Sequence, residues 1–423
     1  MGLNVLIIDR APPIRLTQGN ELIARRVFPL LREHHLTLVA PMGGSPDAAA
    51  VQAAANELGD AFDEVRLVPR TGRVTSLAGG LEPGVSAFVG RVPALARRLP
   101  GSLDPAFPRL FREAIADVLR ERRPDVVHVR QLPMAAYAAS TDGRPALLEL
   151  IDSEILGTAR LRDGSLRGVL RHLAAGAMER SAVRRFPLVT TVADADAAAI
   201  RASVPDARVE VVPNGVDAAF FNPAALAASD PSVDAGGAVP EPGLVVFVGA
   251  MSFAPNVAAV GWFARQVLPL LVARAPHVRF AIVGRDPAPE VSALASDPRV
   301  TVTGMVDDVR PWLARASVVV VPMVSGSGIK NKLLEALAMA RPVVATPLAV
   351  EGLHLIPGRE LLVADGADEF AAQVARVLTE PAEAERIGGA GRAAVEATYT
   401  WSAAAARYDA LWRELAARPQ VQR

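Results

Sequence analysis

The chain has 423 residues, of which 51% are apolar and 21% charged, values that indicate a folded globular protein and exclude a mostly disordered one. Forty-five basic residues balance forty-five acidic ones, so no net field attracts nucleic acid. The chain contains no cysteine, which excludes disulfides, thiolate metal sites and cysteine nucleophiles.

The first residues, MGLNVLIIDRAPP, lack a cationic segment, and their apolar stretch ends before Asp9. A signal peptide needs a longer apolar region. No stretch reaches about 18 uninterrupted apolar residues, the length that spans a membrane. We therefore expect a soluble, cytoplasmic protein and interpret Val5 to Ile8 as its first strand.

Short β-branched or leucine-rich runs alternate with longer Ala- and Arg-rich helical patterns, which indicates repeated βα units and a mainly parallel sheet. This series occurs twice. The first contains NVLII, LTLVA, EVRLV, DVVHV, ALLEL, PLVTT and VEVVP, and the second contains LVVFVG, VRFAIVG, RVTVTG, SVVVVP, RPVVAT and ELLVA. The sequence thus predicts an α/β fold with two βαβ domains.

A segment rich in Pro, Ala, Gly and Asp, without helical or strand periodicity, separates the two series. We predict an N-terminal domain over 1–220, a linker over 221–243 and a C-terminal domain over 244–398. The last segment, 399–423, has an amphipathic helical period and is predicted to pack back on the first domain.

Arginines mingle with Phe107, Leu110 and Phe111 in the stretch from Arg91 to Arg123. A basic amphipathic surface of this kind can lie on anionic lipid headgroups. A solvated helical face whose apolar side belongs to the core explains the same pattern. Peripheral membrane contact is therefore one of two interpretations of this stretch.

The segment SVVVVPMVSGSGIKNKLLEALAMARPVVAT has the pattern of strand, glycine-rich loop, helix and strand, the layout of a phosphate site. Gly326 and Gly328 let the backbone approach a ligand, and the amides that begin the helix can donate to phosphate oxygens. The only two lysines of the chain are Lys330 and Lys332. Glu335 lies one turn after Lys332, so an ammonium for a diphosphate and a carboxylate for ribose can share one side of the helix. A tight turn with an ordinary helical ion pair is the alternative.

The chain resembles the group-one, family 4 type, retaining glycosyltransferases in VVPNGVDAAFFNP, FVGAMSFAPNVAAVGWF, FAIVGRDP, VTGMVDDVRPWLARA and GSGIKNKLLEALAMARPVVATPLAVEGL. The resemblance implies the GT-B architecture, two Rossmann-like domains facing across a cleft. It also implies sugar transfer from a nucleotide diphosphate sugar to an acceptor hydroxyl, with retention of configuration, in polysaccharide, glycolipid or glycoconjugate biosynthesis. The donor would be held mainly by the second domain, and no metal ion or other cofactor would be needed.

Glu335 matches the second carboxylate of the family's E-x7-E pattern, the one expected to hold the ribose. Ser327 stands where the first carboxylate would be, within a Gly-Ser-Gly loop. The resemblance therefore implies that Ser327 and backbone amides of the loop contact the donor sugar. This departure leaves the identity of that sugar open.

Many members of the family carry an Arg and a Lys for phosphate after the first glycine of the second domain. Here that glycine is Gly249, and the two places are occupied by Ala250 and Asn256. We expect Lys332 to supply the missing charge with help from Arg285, for which a role as an ordinary surface cation is the alternative.

Three more residues are candidates for donor binding. Val306 and the loop at Arg285 follow strands at the carboxyl edge, where a nucleobase binds in such folds. Glu351 could reach the donor sugar or simply begin a helix. Gly19 could meet the donor across the cleft or form an N-terminal turn.

His128 lies near the carboxyl end of the strand DVVHV and is our catalytic candidate in the first domain, beside Lys332 and Ser327 in the second. A structural role is the alternative for a lone histidine. Arg130 follows where relatives often have a second histidine, and Asp152 ends ALLELID. Both are candidates for acceptor binding.

Asp194 and Asp196 match a D-x-D metal pattern, and Asp307 and Asp308 also precede a helix. Capping and the helix dipole explain all four without a metal. No nucleoside-triphosphatase loop, dinucleotide fingerprint after the first strand or H-E-x-x-H motif is present.

Two other functions fit the sequence. A nucleotide-sugar epimerase would consume the donor without an acceptor, and a catalytically silent nucleotide-sugar-binding subunit would bind the donor without turnover. The expected acceptor is a saccharide, a lipid-linked molecule or a small molecule, and the expected location is the cytoplasm or the cytoplasmic face of the membrane.

Overall fold

The computed structural model describes residues 2–13, 19–42, 48–69, 107–140, 143–160, 165–229, 240–326 and 328–418. The chain divides into two compact units. Unit 1 comprises Met1–Val212 with Ala404–Arg423, and unit 2 comprises Pro213–Ala403.

Unit 1 is built on a seven-stranded parallel sheet of order β3-β2-β1-β4-β5-β6-β7. Each strand corresponds to one of the seven runs of the first series, which confirms that prediction. The strands are β1 Asn4–Ile8, β2 His35–Met42, β3 Glu64–Pro69, β4 Val126–Arg130, β5 Ala146–Glu149, β6 Leu188–Thr191 and β7 Val209–Val211. Every residue of β4, β5 and β6 is buried, as expected of strands covered on both faces.

Unit 2 is built on a six-stranded parallel sheet of order β10-β9-β8-β11-β12-β13. The six runs of the second series form these strands, again as predicted. They are β8 Leu244–Val248, β9 Arg279–Val283, β10 Val300–Val302, β11 Val318–Val321, β12 Val343–Ala345 and β13 Leu362–Val363. Counted from its own first strand, each unit begins with the order 3-2-1-4-5-6 of a dinucleotide-binding Rossmann fold.

Helices form the crossovers between these parallel strands. The described helices of unit 1 are α1 Gly19–Val27, α2 Ala48–Leu58, α3 Phe107–Arg122, α4 Glu154–Arg160, α5 Leu166–Val183 and α6 Asp194–Ser203. Those of unit 2 are α7 Pro223–Ser229, α8 Ala254–Trp262, α9 Leu268–Arg274, α10 Pro289–Ser292, α11 Arg310–Arg315, α12 Asn331–Ala338, α13 Pro347–Val350, α14 Ala367–Thr379 and α15 Pro381–Thr398. The last helix, α16 Trp401–Ala416, runs from unit 2 into unit 1.

One helical run of the described chain, Ala254–Arg274, is long and apolar enough to cross a membrane by length and composition. Its inward side packs in the core of unit 2, where the Phe263 ring lies 4.5 Å from the Phe280 ring and 6.0 Å from the Phe370 ring. Core helices meet the same criterion, so the run is explained by the fold of unit 2.

The boundary between the units differs from the predicted one. The division falls between Val212 and Pro213, so residues 213–220 belong to unit 2. The predicted linker 221–243 is also partly structured, because Pro223–Ser229 forms α7. Residues 230–239 of that linker lie outside the described residues. The prediction missed α7 because its small apolar residues give little periodic contrast.

Helix α16 holds to unit 1 through aromatic and ionic contacts. The Trp412 ring is fully buried and stacks 6.3 Å from the Phe28 ring. The His34 Nδ1 accepts the Leu3 N–H at 3.0 Å, so its Nε2 carries the proton and donates to Asp409 Oδ1 at 2.7 Å.

Helix α15 approaches the end of α12 so closely that one of its positions has no room for a side chain. A Cβ at Gly388 would lie 2.2 Å from the Ala340 carbonyl oxygen, whereas a Cβ at the neighbouring Gly389 would meet no atom within 4 Å. Gly388 thus lets α15 fix the position at which α12 ends.

We expect Gly388→Ala and Gly389→Ala to change stability in opposite directions. The clash at Gly388 should outweigh the gain in helix propensity and lower the free energy of unfolding by about 2 kcal/mol. At Gly389 the propensity gain should raise it by up to about 1 kcal/mol. Urea unfolding of both variants measures this, and stabilisation by both would contradict the close approach.

Candidate functional site

The sheet of unit 2 has a switch point between β8 and β11. From β8 the chain first adds β9 and β10 on one side and then returns to add β11 on the other. Loops that follow two such neighbouring strands leave in opposite directions, and the crevice between them binds ligands in open α/β sheets. Gly249 follows β8 here, and Met323 with the glycine-rich loop follows β11.

The loop after β8 is held against the loop after β9 by direct backbone contact. Gly284 has φ of 148°, and a Cβ at this residue would lie 1.8 Å from the Gly249 carbonyl oxygen. The Met251 N–H donates to the Arg285 carbonyl at 2.8 Å, and the Ala288 N–H donates to the Met251 carbonyl at 3.1 Å. These contacts fix the floor of the crevice beside Gly249.

Lys332 reaches this floor from the first turn of α12. Its Nζ donates to Asn256 Oδ1, lies 3.9 Å from Met323 Sδ and sits 4.8 Å from the centroid of the Phe247 ring. Asn256 is buried, and its Nδ2 donates to the Ala250 carbonyl at 2.9 Å, which fixes the orientation of the amide. The ammonium is therefore positioned at the switch point.

The surroundings of the Lys332 ammonium do not fully compensate its positive charge. Burial lowers the pKa of Lys332 to about 7, the nearby Glu335 carboxylate raises it, and the Lys330 ammonium lowers it. The hydrogen-bond acceptor of Lys332 is an uncharged amide oxygen. An anion bound at this position would restore the charged form of Lys332 and gain from it.

The glycine-rich loop approaches α12 in a conformation that needs glycine. Gly326 and Gly328 have φ of 106° and 69°, and the Lys330 Nζ donates to the Gly328 carbonyl. Helix α12 begins at Asn331, so the first N–H groups of the helix lie beside Lys332 and lack acceptors within the helix. Ser327 lies outside the described residues, so its predicted contact with the donor sugar stays a prediction.

The other predicted donor contacts lie on loops at the same carboxyl edge. Arg285 follows β9 with its side chain 46% exposed and pairs with the Asp286 carboxylate at 3.3 Å. Val306 lies partly buried in the loop after β10, and Glu351 lies partly buried directly after α13. The structure thus brings Gly249 and Lys332 together, whereas the roles of these three residues stay predictions.

Unit 1 has its own switch point, between β1 and β4, and a buried ionic cluster occupies it. Arg130 donates to Asp9, which follows β1, and to Glu149 at 2.9 Å, which ends β5. His128 Nε2 lies 2.9 Å from Glu149 Oε2. All four side chains are buried, and the Tyr408 ring of α16 lies 5.2 Å from the His128 ring.

The charged side chains of this cluster pair with one another. Burial opposes ionisation of Glu149, but the Arg130 guanidinium and the His128 hydrogen bond outweigh it and hold the pKa of Glu149 at about 2. Burial raises the pKa of Asp9 against the attraction of Arg130. Burial also lowers the pKa of His128, against the hydrogen bond and charge of Glu149, which raise it.

The cluster corrects two predictions. His128 and Arg130 were expected to contact the substrate, but both side chains have no exposed surface and touch strands and α16 of unit 1. The reason is that β4 lies at the centre of the sheet, so its side chains point into the core. Asp152, by contrast, is exposed after β5, and Gly19 is the first residue of α1, so their assigned roles stay predictions.

In the pairs Asp194/Asp196 and Asp307/Asp308, one aspartate of each accepts a backbone N–H near the start of a helix, but neither pair supplies the N-cap residue. The N-cap of α6 is Ala193, and Asp196 within its first turn accepts the Ser153 N–H at 2.8 Å. The N-cap of α11 is Val309, and Asp308 accepts the Arg310 N–H at 2.8 Å.

Another group of residues, in unit 1, has metal-like spacing and consists of Glu33, His34 and Asp409. The proton on His34 Nε2 already points to Asp409, and Arg413 pairs with both carboxylates. This group is therefore an ion-pair cluster that ties α16 to the start of β2.

Two family models match the chain. The model described as "Glycosyl transferases group 1" matches residues 242–380, and the model described as "Glycosyl transferase 4-like domain" matches residues 48–215. The chain belongs to the group 1 glycosyltransferases. A sequence comparison of this glycosyltransferase with curated proteins finds no match.

Solved structures resemble this glycosyltransferase over almost its full length. Sucrose-phosphate synthase from Thermosynechococcus elongatus is 16% identical with a TM-score of 0.68, covering 98% of this chain and 99% of that chain. HepE of Anabaena in complex with UDP is 14% identical with a TM-score of 0.66, covering 97% and 100%. A TarM mutant of S. aureus in complex with fondaparinux, alpha-GlcNAc-glycerol and UDP is 9% identical with a TM-score of 0.64, covering 97% and 99%. The likeness confirms the GT-B fold.

Sequence reasoning missed the role of Asn256 in this glycosyltransferase. We read Asn256 only as the loss of a phosphate-binding lysine, whereas its amide is the acceptor that positions Lys332. The two residues are separated by 76 positions, so no local spacing signals the contact. The clue that the sequence offered was a polar residue within the otherwise largely apolar stretch SFAPNVAAV.

We expect the unit 1 cluster to be structural, so Glu149→Gln should destabilise the fold. Removing one partner of a buried ion pair leaves Arg130 uncompensated and should cost about 3–5 kcal/mol of unfolding free energy. The control Glu113→Gln breaks a pair with Arg109, in which the two side chains are 52% and 82% exposed, and should change stability far less, because solvent screens such a pair. Equal effects in denaturant unfolding would contradict the structural role.

Proposed function

We propose that this glycosyltransferase transfers a hexosyl group from a nucleotide diphosphate sugar to an acceptor hydroxyl with retention of configuration. The observation that carries the proposal is the Lys332 ammonium at the β8/β11 switch point, next to the glycine-rich loop and the start of α12. A lysine, backbone amides and a helix dipole at one point favour a diphosphate.

The same groups suit the chemistry of the transfer. The bond between the anomeric carbon and the phosphate oxygen breaks while the acceptor oxygen bonds to that carbon on the same face. The acceptor proton passes to the departing phosphate oxygen. Lys332 and the first amides of α12 stabilise the negative charge that develops on the leaving diphosphate.

Uridine is our choice of nucleoside. HepE of Anabaena was solved with UDP and with UDP-glucose, and a TarM mutant with UDP. The fold is shared at low identity, so these ligands support the uridine donor by analogy. Glu335, one turn after Lys332 and partly buried, is proposed to bind the ribose hydroxyls.

Lys332 and the helix amides supply fixed positive charge, so we propose that the transfer needs no divalent ion. We propose a cytoplasmic location, in keeping with a chain without cysteine. The acceptor is proposed to be a saccharide or a lipid-linked molecule of polysaccharide, glycolipid or glycoconjugate biosynthesis.

Lipid contact through Arg91 to Arg123 gains little support from the described part of that stretch. Residues 91–106 lie outside the described residues. In α3, Arg109 pairs with Glu113, and Arg120 pairs with Asp117. These pairs fit the interpretation of α3 as an ordinary solvated helix.

We expect one UDP-sugar from a panel of nucleotide sugars to raise the melting temperature selectively. At about 100 times its dissociation constant, a ligand adds roughly 2.7 kcal/mol of apparent stability. The shift should be lost in Lys332→Ala and Glu335→Ala and should persist when EDTA is added. It should also remain in the control Arg299→Ala, which removes a cation that precedes β10, at the opposite edge of the sheet.

Turnover of the selected donor then separates the candidate functions. Transfer to an acceptor with an unchanged anomeric configuration, read by NMR, is the expected result. Donor consumption without an acceptor, giving an epimer or a free sugar derivative, would favour the epimerase. Binding without turnover on a broad acceptor panel would favour the silent subunit, and no shift with any nucleotide sugar would contradict the donor site.

A further inference from the structure

Helix α5 of unit 1 exposes large apolar side chains in a regular row. Leu166, Leu170 and Leu173 are 75%, 57% and 58% exposed. Their spacing of four and three residues places them on one face of the helix. Three leucines on one short helical face form a row, unlike the single exposed leucines that are normal on protein surfaces.

The helix itself is firmly anchored on its other face. Gly176, Glu179, Ala182 and Val183 are buried. The Glu179 carboxylate accepts the Ser153 hydroxyl at 2.9 Å, and Ser165 caps the first turn by accepting the Gly168 N–H at 3.0 Å. The leucine row is therefore the outer face of a helix that is already packed.

The charges on this outer face have a single sign. Arg167 and Arg171 are exposed between the leucines, and the sequence from Ser165 to Met178 contains no Asp or Glu. In α3, by contrast, the exposed Arg109 and Arg120 pair with acids of their own helix. We call Leu166, Arg167, Leu170, Arg171 and Leu173 the leucine–arginine stripe.

We propose that the leucine–arginine stripe docks unit 1 on an anionic membrane surface. A surface helix with leucines on its outer face and arginines beside them inserts the leucines below the headgroups, while the guanidinium groups bind lipid phosphates. Charge complementarity selects the partner, because a face with two arginines and no carboxylate attracts anionic lipid. The proposal does not depend on the donor or on the chemistry of transfer.

The strength of binding should depend on both components of the stripe. Each arginine near an anionic surface contributes about 1 kcal/mol, equivalent to about fivefold in binding. Arg167→Glu with Arg171→Glu should therefore weaken binding at least about 25-fold. Leu166→Ser, Leu170→Ser and Leu173→Ser together should abolish the part of the binding that resists salt.

The experiment is co-sedimentation of the full chain with vesicles of phosphatidylcholine alone or mixed with phosphatidylglycerol. We expect binding to the mixed vesicles, its loss in the triple-serine and double-glutamate variants, and its retention in the control Leu110→Ser. Leu110 is an exposed leucine of α3, 42% accessible, on a helix whose Arg109 and Arg120 pair with carboxylates. The thermal shift with the selected nucleotide sugar should be unchanged in all variants, which separates this proposal from the proposed function.

Three results would overturn the proposal. The first is wild-type protein that fails to bind the mixed vesicles, or variants that bind them as well as wild type does. The second is a wild-type dimer, seen by light scattering, that the triple-serine variant dissociates, since a second copy would then cover the leucines. The third is a melting temperature that the serine substitutions lower by many degrees, since the chain itself would then cover them.

Discussion

The site of unit 2 depends on one constraint: the Lys332 ammonium is partly desolvated, and its hydrogen-bond acceptor is an amide rather than a carboxylate. Desolvation makes the charged form of Lys332 costly, and the Asn256 amide compensates only in part. The close contact of Gly284 with Gly249 and the packing of α15 against the end of α12 hold the groups around it in place. An anionic ligand at the switch point completes this arrangement.

The two units share the same strand order, but the basic residue at the carboxyl edge of the sheet has different partners in each. At the β1/β4 switch point of unit 1, the buried Arg130 is neutralised by Asp9 and Glu149, so the cluster is complete without a ligand. At the β8/β11 switch point of unit 2, the lysine meets an amide instead. This difference explains why we assign donor binding to unit 2 and a structural role to the cluster of unit 1.

The fold followed from the sequence because its signals are local. Each of the thirteen strands of the described chain is a short apolar run between helical patterns, and parallel sheets of Rossmann type repeat that pattern. The glycine-rich loop and Lys332 were predictable for the same reason, since strand, loop and helix are consecutive. Helix α7 was missed because Pro and Ala residues obscure its period.

The partners of the site residues could not be predicted, because they come from distant parts of the chain. Asn256 meets Lys332 across 76 residues, and Arg130 meets Asp9 across 121. His128 was misjudged for a related reason. The side chains of β4 are covered by residues distant in sequence, Phe28 on one side of the chain and Tyr408 and Trp412 of α16 on the other, so the sequence near His128 does not show its burial.

The central claim is that Lys332 binds the donor diphosphate, and proton uptake during binding tests it most directly. At pH 8, above the pKa of about 7, the neutral form of Lys332 predominates in the free protein. A diphosphate raises that pKa, so calorimetry in buffers of different ionisation enthalpy should show net proton uptake when the nucleotide sugar binds. Affinity should fall as the pH rises above 7, and Lys332→Arg, which stays charged, should bind without proton uptake. Binding by wild type without proton uptake, or equal uptake by Lys332→Arg, would contradict the account.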